Sequence, residues 1–268
     1  MTMQYAPQVK WFLLPLPLLA LFLGAEWLAG PATGDVVRGG VLLGKFFTLI
    51  GFALAATRFS WGDRMHRIWS LFVLNMVGLL GQEFYFGYVS VRWPELALSP
   101  EAARPVLGVV LLIANIASTM ATVLLARTWR EAGLEVESTK LRHMAKLAVV
   151  PIAFAIFVVS MRENLQREPA DVWDTIVLVI LPFGDFVCFS LIGPLALTAF
   201  SLRGGSLALP WAMFALGSAF WVAWDVATTM SHLSGVAIEA MRILALGYTG
   251  CAGIEQWWVL RPQARFAV

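Results

Sequence analysis

Charge is scarce in this sequence of 268 residues. Aspartate, glutamate, lysine and arginine make up 13% of the chain, whereas hydrophobic residues make up 59%. This composition lies far from that of soluble globular domains and is typical of integral membrane proteins. The net charge of +2 is too small to indicate a nucleic-acid partner. We therefore expect the lipid bilayer, and no nucleic acid, to be a main partner of the chain.

Residues that ligate metals or form disulfides are also few, with two cysteines and three histidines. Cys188 and Cys251 lie in apolar runs, where a thiol more often packs as a small hydrophobic group than forms a disulfide. The histidines, which are His66, His143 and His232, fall in loops or at helix ends, and none is at ligand spacing from another. The sequence therefore predicts no metal site and no cofactor.

Eight apolar runs follow one another along the chain. They cover residues 11–30, 41–59, 68–91, 106–125, 147–161, 176–202, 210–230 and 236–260. The first run could instead be a cleaved signal peptide, because it has a basic start, an apolar centre and small residues at its end. The fifth is short unless it continues through Asn164, and the sixth is interrupted at Pro182 and Pro194. The pattern predicts one all-α domain over residues 1–268, a polytopic bundle of eight transmembrane helices.

Lysine and arginine are distributed unevenly between the two ends of these predicted helices. Twelve lie at the end that carries both termini and five at the opposite end, while Lys45 and Arg242 lie within helices. Because cytoplasmic loops are enriched in basic residues, both termini are predicted to be cytoplasmic, in an inner or plasma membrane. Tryptophans at helix ends are interpreted as an interfacial belt, and they are Trp61, Trp69, Trp93, Trp129, Trp173, Trp211, Trp257 and Trp258.

The seventh run is the most informative, because it carries one carboxylate, Asp225, close behind two tryptophans, Trp221 and Trp224. An ionisable side chain at that depth costs at least about 2.5 kcal/mol to insert, so it should face the bundle interior and have a partner. Lys45 and Arg242 are the candidate cations, and we expect one of them to pair with Asp225.

A helical rise of about 1.5 Å per residue places ionisable groups from six helices in the extracytoplasmic half of the bundle. The sequence therefore predicts a small-molecule pocket in that half. Its candidate ligand-binding residues are Lys45, Glu83, Tyr85, Asp185, Trp221, Trp224, Asp225, Glu239 and Arg242.

Several of these side chains also have a structural explanation. Lys45 and Glu26 could snorkel to the outer headgroups. Glu239 and Arg242 are spaced i, i+3 and could neutralise each other. Glu83 could be a buried carboxylic acid that hydrogen-bonds to a neighbouring helix.

One stretch, residues 184–230, contains an early aspartate (Asp185), an LRGG loop, a Pro-Trp pair opening the next helix and a late aspartate (Asp225). It resembles the multi-span sensory region found in front of diguanylate cyclase domains. The resemblance implies a membrane sensor or receptor-like protein for a small apolar or amphipathic ligand. Since no output domain follows in this sequence, it also implies a separate signalling partner.

A second stretch has Asp63 and Arg64 before a helix with Asn75, then Glu83 and several aromatic residues. This order is similar to that of small integral-membrane terpene cyclases. The resemblance implies an enzyme acting on an isoprenoid or lipid, with Glu83 as the catalytic acid and Asp225 as the nearest candidate for a second acid. A proton-coupled transporter is a third possibility, because of the same carboxylates and the broken sixth helix. Whether the chain is an enzyme stays open.

Overall fold

The computed structural model describes residues 13–30, 33–133, 139–166, 172–201, 207–229 and 235–261, which form helices and no strand. The predicted all-α class is thus confirmed. The long helices are α1 (Pro15–Ala29), α2 (Thr33–Ala56), α3 (Arg64–Phe84), α4 (Pro100–Glu131), α5 (Thr139–Gln166), α6 (Val172–Ser201), α7 (Ala208–Thr229) and α8 (Gly235–Val259). A π-helical turn (Tyr85–Val89) and a short helical segment (Ser90–Arg92) extend α3.

Five of the described helices, α2, α4, α5, α6 and α7, are long and apolar enough to cross a membrane. They indicate a multi-pass membrane protein. α1 is apolar but has only 15 residues. α3 and α8 reach the necessary length but are not among the five, and they carry Glu83, Glu239, Arg242 and Glu255. The prediction of eight spans therefore goes beyond what helix length and composition show.

Six helices pack side by side in a closed ring. Around the ring the order is α2, α3, α4, α6, α7 and α8, and α8 packs against α2 again. α1 lies outside the ring against α2 and α8, and α5 lies outside it against α6. Consequently α8, α2 and α3 form one half of the ring, and α4, α6 and α7 form the other.

The contact between α2 and α8 is close because glycines lie in it. A Cβ atom at Gly51 would overlap the carbonyl group of Gly250, and a Cβ atom at Gly253 would overlap the backbone of Gly51. Small residues at helix contacts allow backbones to approach closely in membrane bundles. The buried hydroxyl of Thr48 joins the same two helices, since it lies 2.8 Å from the carbonyl oxygen of Leu246.

Three tryptophans do not lie in the predicted interfacial belt. Trp69, Trp129 and Trp211 are buried, and the ring centroid of Trp211 lies 5.7 Å from that of Trp69 and 4.7 Å from that of Trp129. They pack with Phe52, Phe72 and Phe214 in an aromatic core. The belt interpretation is wrong for these three because a position near a helix end does not determine which face of the helix turns inward.

α6 is continuous through Pro182 and Pro194, so the predicted interruptions of the sixth run are wrong. Pro182 has no N–H to donate to the carbonyl oxygen of Leu178, four residues earlier. Nδ2 of Asn164 on α5 donates to that oxygen instead, at 2.8 Å. Such replacement of a lost backbone bond by a neighbouring helix allows proline inside a membrane helix. α5 extends to Gln166, so the fifth apolar run does continue through Asn164 and is long enough to cross a membrane.

Candidate functional site

Charged side chains from three neighbouring helices meet in one cluster. Nζ of Lys45 on α2 and Nη2 of Arg242 on α8 each lie 2.7 Å from Oε2 of Glu83 on α3. Lys45 also donates to the carbonyl oxygen of Leu79, at 3.0 Å. Nη1 of Arg242 lies 3.4 Å from Glu239. With two cations and two carboxylates, the cluster carries no net formal charge.

This cluster corrects several predictions. Lys45 does not snorkel, because the residue is only 2% exposed and its side chain binds Glu83. The predicted pairing of Lys45 with Asp225 is therefore wrong, because Lys45 pairs with Glu83. Among the described ion pairs of Arg242, the shorter one is also with Glu83. Glu239 contributes to neutralising Arg242 but at a longer distance. Glu83 is the counter-ion of two cations rather than a lone buried acid.

Polar side chains also come together on the other half of the ring, where Asn115, Asp185 and Asp225 belong to α4, α6 and α7. Nδ2 of Asn115 lies 3.4 Å from Oδ1 of Asp185. Gly184 makes room for this contact, since a Cβ atom there would overlap the amide of Asn115. Within the part of the chain that the structure describes, no ion pair includes Asp185.

Both halves of the ring line a common internal cavity of about 410 Å³. This volume falls within the range of roughly 300–1,000 Å³ that is usual for small-molecule sites. The predicted site residues that line it are Lys45, Glu83, Asp185, Trp221, Trp224, Asp225 and Arg242. Two predicted residues do not: Glu239 contacts the cluster at Arg242, and the hydroxyl oxygen of Tyr85 accepts a hydrogen bond from the backbone N–H of Leu98, at 3.1 Å.

Several polar lining residues were not predicted from the sequence, and they are Asn75, Gln82, Asn115, Ser118, Thr122, Cys188, Ser218 and Thr249. Small hydroxyl residues are common in apolar helices because they can bond to their own helix, as Ser218 does with the carbonyl oxygen of Phe214 at 2.9 Å. One signal was present. Asn115, Ser118 and Thr122 are spaced i, i+3 and i+7, so they share one face of α4.

Two buried donors of the cavity wall have no hydrogen-bond partner among the described residues. They are Nε1 of Trp224 and Nε of Arg242. The guanidinium carbon of Arg242 lies 5.2 Å from the centroid of the Trp224 ring, and Trp221 meets Trp224 edge to face. Buried donors are nearly always paired, so an acceptor on a water or another small molecule in the cavity would satisfy both.

A second cavity, of about 330 Å³, lies between α5, α6 and α7 at the periphery of the ring. Asp185 and Asp225 line this cavity as well as the internal one. Glu163 and Asn164 of α5 contribute further polar groups. The two aspartates therefore lie between the interior of the ring and its periphery, together with Leu181 and Phe189.

The two cysteines are free thiols in different surroundings. Cys188 lines the internal cavity, with Sγ 3.7 Å from the hydroxyl of Thr122, whereas Cys251 is fully buried. The described residues contain no group of three or more histidine, cysteine, aspartate or glutamate side chains that could hold a metal ion. His232 lies outside the described residues.

Comparisons of the chain with protein-family models, curated proteins and solved structures found no match. The interpretation of the site therefore depends on its own geometry and chemistry.

Proposed function

We propose that the chain is an integral membrane sensor or receptor-like protein that binds a small apolar or amphipathic molecule inside the ring. The observation that carries this proposal is the internal cavity, whose wall combines indole rings with a few charged groups. Ligand sites typically have such mainly apolar walls with a small number of placed polar groups. A separate signalling partner would respond to the bound state.

We further propose that all eight long helices span an inner or plasma membrane and that both termini are cytoplasmic. The twelve-to-five distribution of basic residues supports this orientation. This orientation would put the charged part of the cavity in the extracytoplasmic half. Glu83 and Arg242 line the cavity inside the ring and so avoid the lipid. Reporter fusions should be cytoplasmic after Arg142 and external at Asp171, which lies outside the described residues. Fusions that report the same side would contradict this topology.

The main alternative is an enzyme that acts on an isoprenoid or lipid with Glu83 as general acid. A general acid must deliver a proton to its substrate. Oε2 of Glu83 is instead bound by two cations, which suits a residue that holds three helices together. The enzyme would therefore depend on Asp225, the other candidate acid, with Asp185 beside it.

A proton-coupled transporter is favoured by one observation, namely that both aspartates lie between two cavities.

Filling the cavity should abolish ligand binding. Ser118 lines the cavity on α4, whereas Ile116 on the same helix is 43% exposed. Ser118→Phe is therefore the test variant and Ile116→Phe the matched control. Compounds from a panel of amphipathic small molecules should raise the unfolding temperature of the purified wild type, because a ligand at a hundred times its Kd stabilises the folded state by about 2.7 kcal/mol. The shift should disappear in Ser118→Phe and persist in Ile116→Phe.

Two results would count against the sensor. A thermal shift that survives in Ser118→Phe would show that the compound binds elsewhere. Conversion of labelled polyprenyl-phenol epoxides by the membrane fraction, followed by mass spectrometry, would favour the enzyme, most clearly if Asp225→Asn stopped the reaction.

A further inference from the structure

We infer that the ligand of the internal cavity carries a cationic amine, which binds at Asp185, together with a hydrogen-bond acceptor that reaches Trp224. This inference rests on the proposed function and adds the chemical class of the ligand. It follows from the charges of the cavity wall, from the indole rings and from the two unpartnered donors.

The cations of the cavity wall are already neutralised. Lys45 and Arg242 both bind Glu83 at 2.7 Å, and Arg242 has Glu239 as a second carboxylate at 3.4 Å. An anionic ligand would have to displace one of these carboxylates in order to gain a full ion pair. The internal cluster therefore gives little attraction for an acid, although Nε of Arg242 stays available as a donor.

On the opposite wall, Asp185 has no cation beside it among the described residues. The hydrogen bond from Asn115 to Asp185 is 3.4 Å long, compared with the usual value of about 2.9 Å for N–H···O bonds. Asp225 lines the same cavity and places a second carboxylate near the first. An ionised carboxylate inside a membrane bundle is costly unless a cation pairs with it, and an ammonium group in the cavity would pair with Asp185.

The aromatic wall selects for the same class of molecule. Trp221 and Trp224 lie on α7 within about one turn of Asp225, and both line the cavity. The face of an indole ring attracts organic cations and also covers apolar groups. Nε1 of Trp224 and Nε of Arg242 are donors without a partner, so the ligand needs an acceptor such as a hydroxyl, carbonyl or carboxylate oxygen. An amphipathic amine with such an oxygen satisfies all three features.

The natural cysteine of the cavity allows a direct test of its charge preference. Cys188 lies one turn after Asp185 on α6 and lines the cavity. Aminoethyl, sulfonatoethyl and methyl methanethiosulfonate carry a positive, a negative and no charge, and each transfers its thioalkyl group to a thiolate with release of methanesulfinate. Rates at Cys188 are measured by peptide mass spectrometry and divided by the rates with free glutathione. The cationic reagent should then be favoured over the anionic one by at least about tenfold, because of the nearby carboxylate.

Asp185→Asn should lower this ratio several-fold, with Asp225 left as the remaining carboxylate, whereas Glu163→Gln, which removes a carboxylate from the peripheral cavity only, should leave it unchanged. Equal normalised rates in the wild type, or a ratio that Asp185→Asn does not change, would overturn the amine inference and leave the proposed function standing. A Cys188 that no reagent modifies, not even the neutral one, would instead contradict the accessible cavity and with it the proposed function. The wild-type ratio is informative even if Asp185→Asn does not fold.

Discussion

Glu83→Gln is expected to lower the free energy of unfolding by about 3 to 5 kcal/mol, which is the usual cost of removing one partner from a buried ion pair. The amide preserves the volume of the side chain, so the loss would come from charge. It leaves Lys45 and Arg242 close together without the carboxylate oxygen that each now binds at 2.7 Å. The measurement is the unfolding transition of the purified protein in detergent.

Glu239→Gln is the matched control, because Glu239 also faces Arg242 but at 3.4 Å and from the same helix. Pairs of this kind contribute about 0.2 to 0.5 kcal/mol, so the control should change stability only slightly. Adding Lys45→Met to Glu83→Gln should restore part of the lost stability, since one of the two unneutralised cations is then gone. Equal effects of Glu83→Gln and Glu239→Gln would contradict the assigned role of Glu83 as the common counter-ion.

Helix positions could largely be predicted from the sequence, because a long apolar run has few physical interpretations in a chain this poor in charge. The predicted run 41–59 overlaps most of α2, and the run 236–260 nearly coincides with α8. The ends were less predictable. α4 extends from Pro100 to Glu131, well beyond the apolar run 106–125, because a helix continues past the bilayer core wherever polar residues still favour it.

The residues that line the cavity could be predicted only in part. Helix depth predicted Lys45, Glu83 and Asp225 at a similar level, and all three line the internal cavity, but depth does not say which helices are neighbours. Glu83 is 38 residues from Lys45 and 159 residues from Arg242 in the chain, and the ring order alone brings the three together. Ring order also shows that Asp225 and Lys45 are not on neighbouring helices, because α8 lies between α7 and α2.

The two natural cysteines should react very differently, since one lines the cavity and the other is packed inside the helix bundle. Cys251 has 0% exposure on α8 and lies beside the close contact between α2 and α8. A reagent can reach it only if that packing opens, which costs several kcal/mol in a well-packed core. Cys188 needs no such opening. We expect its modification to be at least about a hundredfold faster than that of Cys251.

Modification of Cys188 by neutral methyl methanethiosulfonate in native membranes, followed by mass spectrometry, is the most direct test of an accessible cavity inside the ring. The predicted result is an adduct on Cys188 while the protein stays folded, and one on Cys251 only after denaturation. Ser118→Phe should slow the reaction at Cys188, and Ile116→Phe should not. A Cys188 that resists the reagent until the protein unfolds, or that reacts no faster than Cys251, would contradict the cavity on which the proposed function depends.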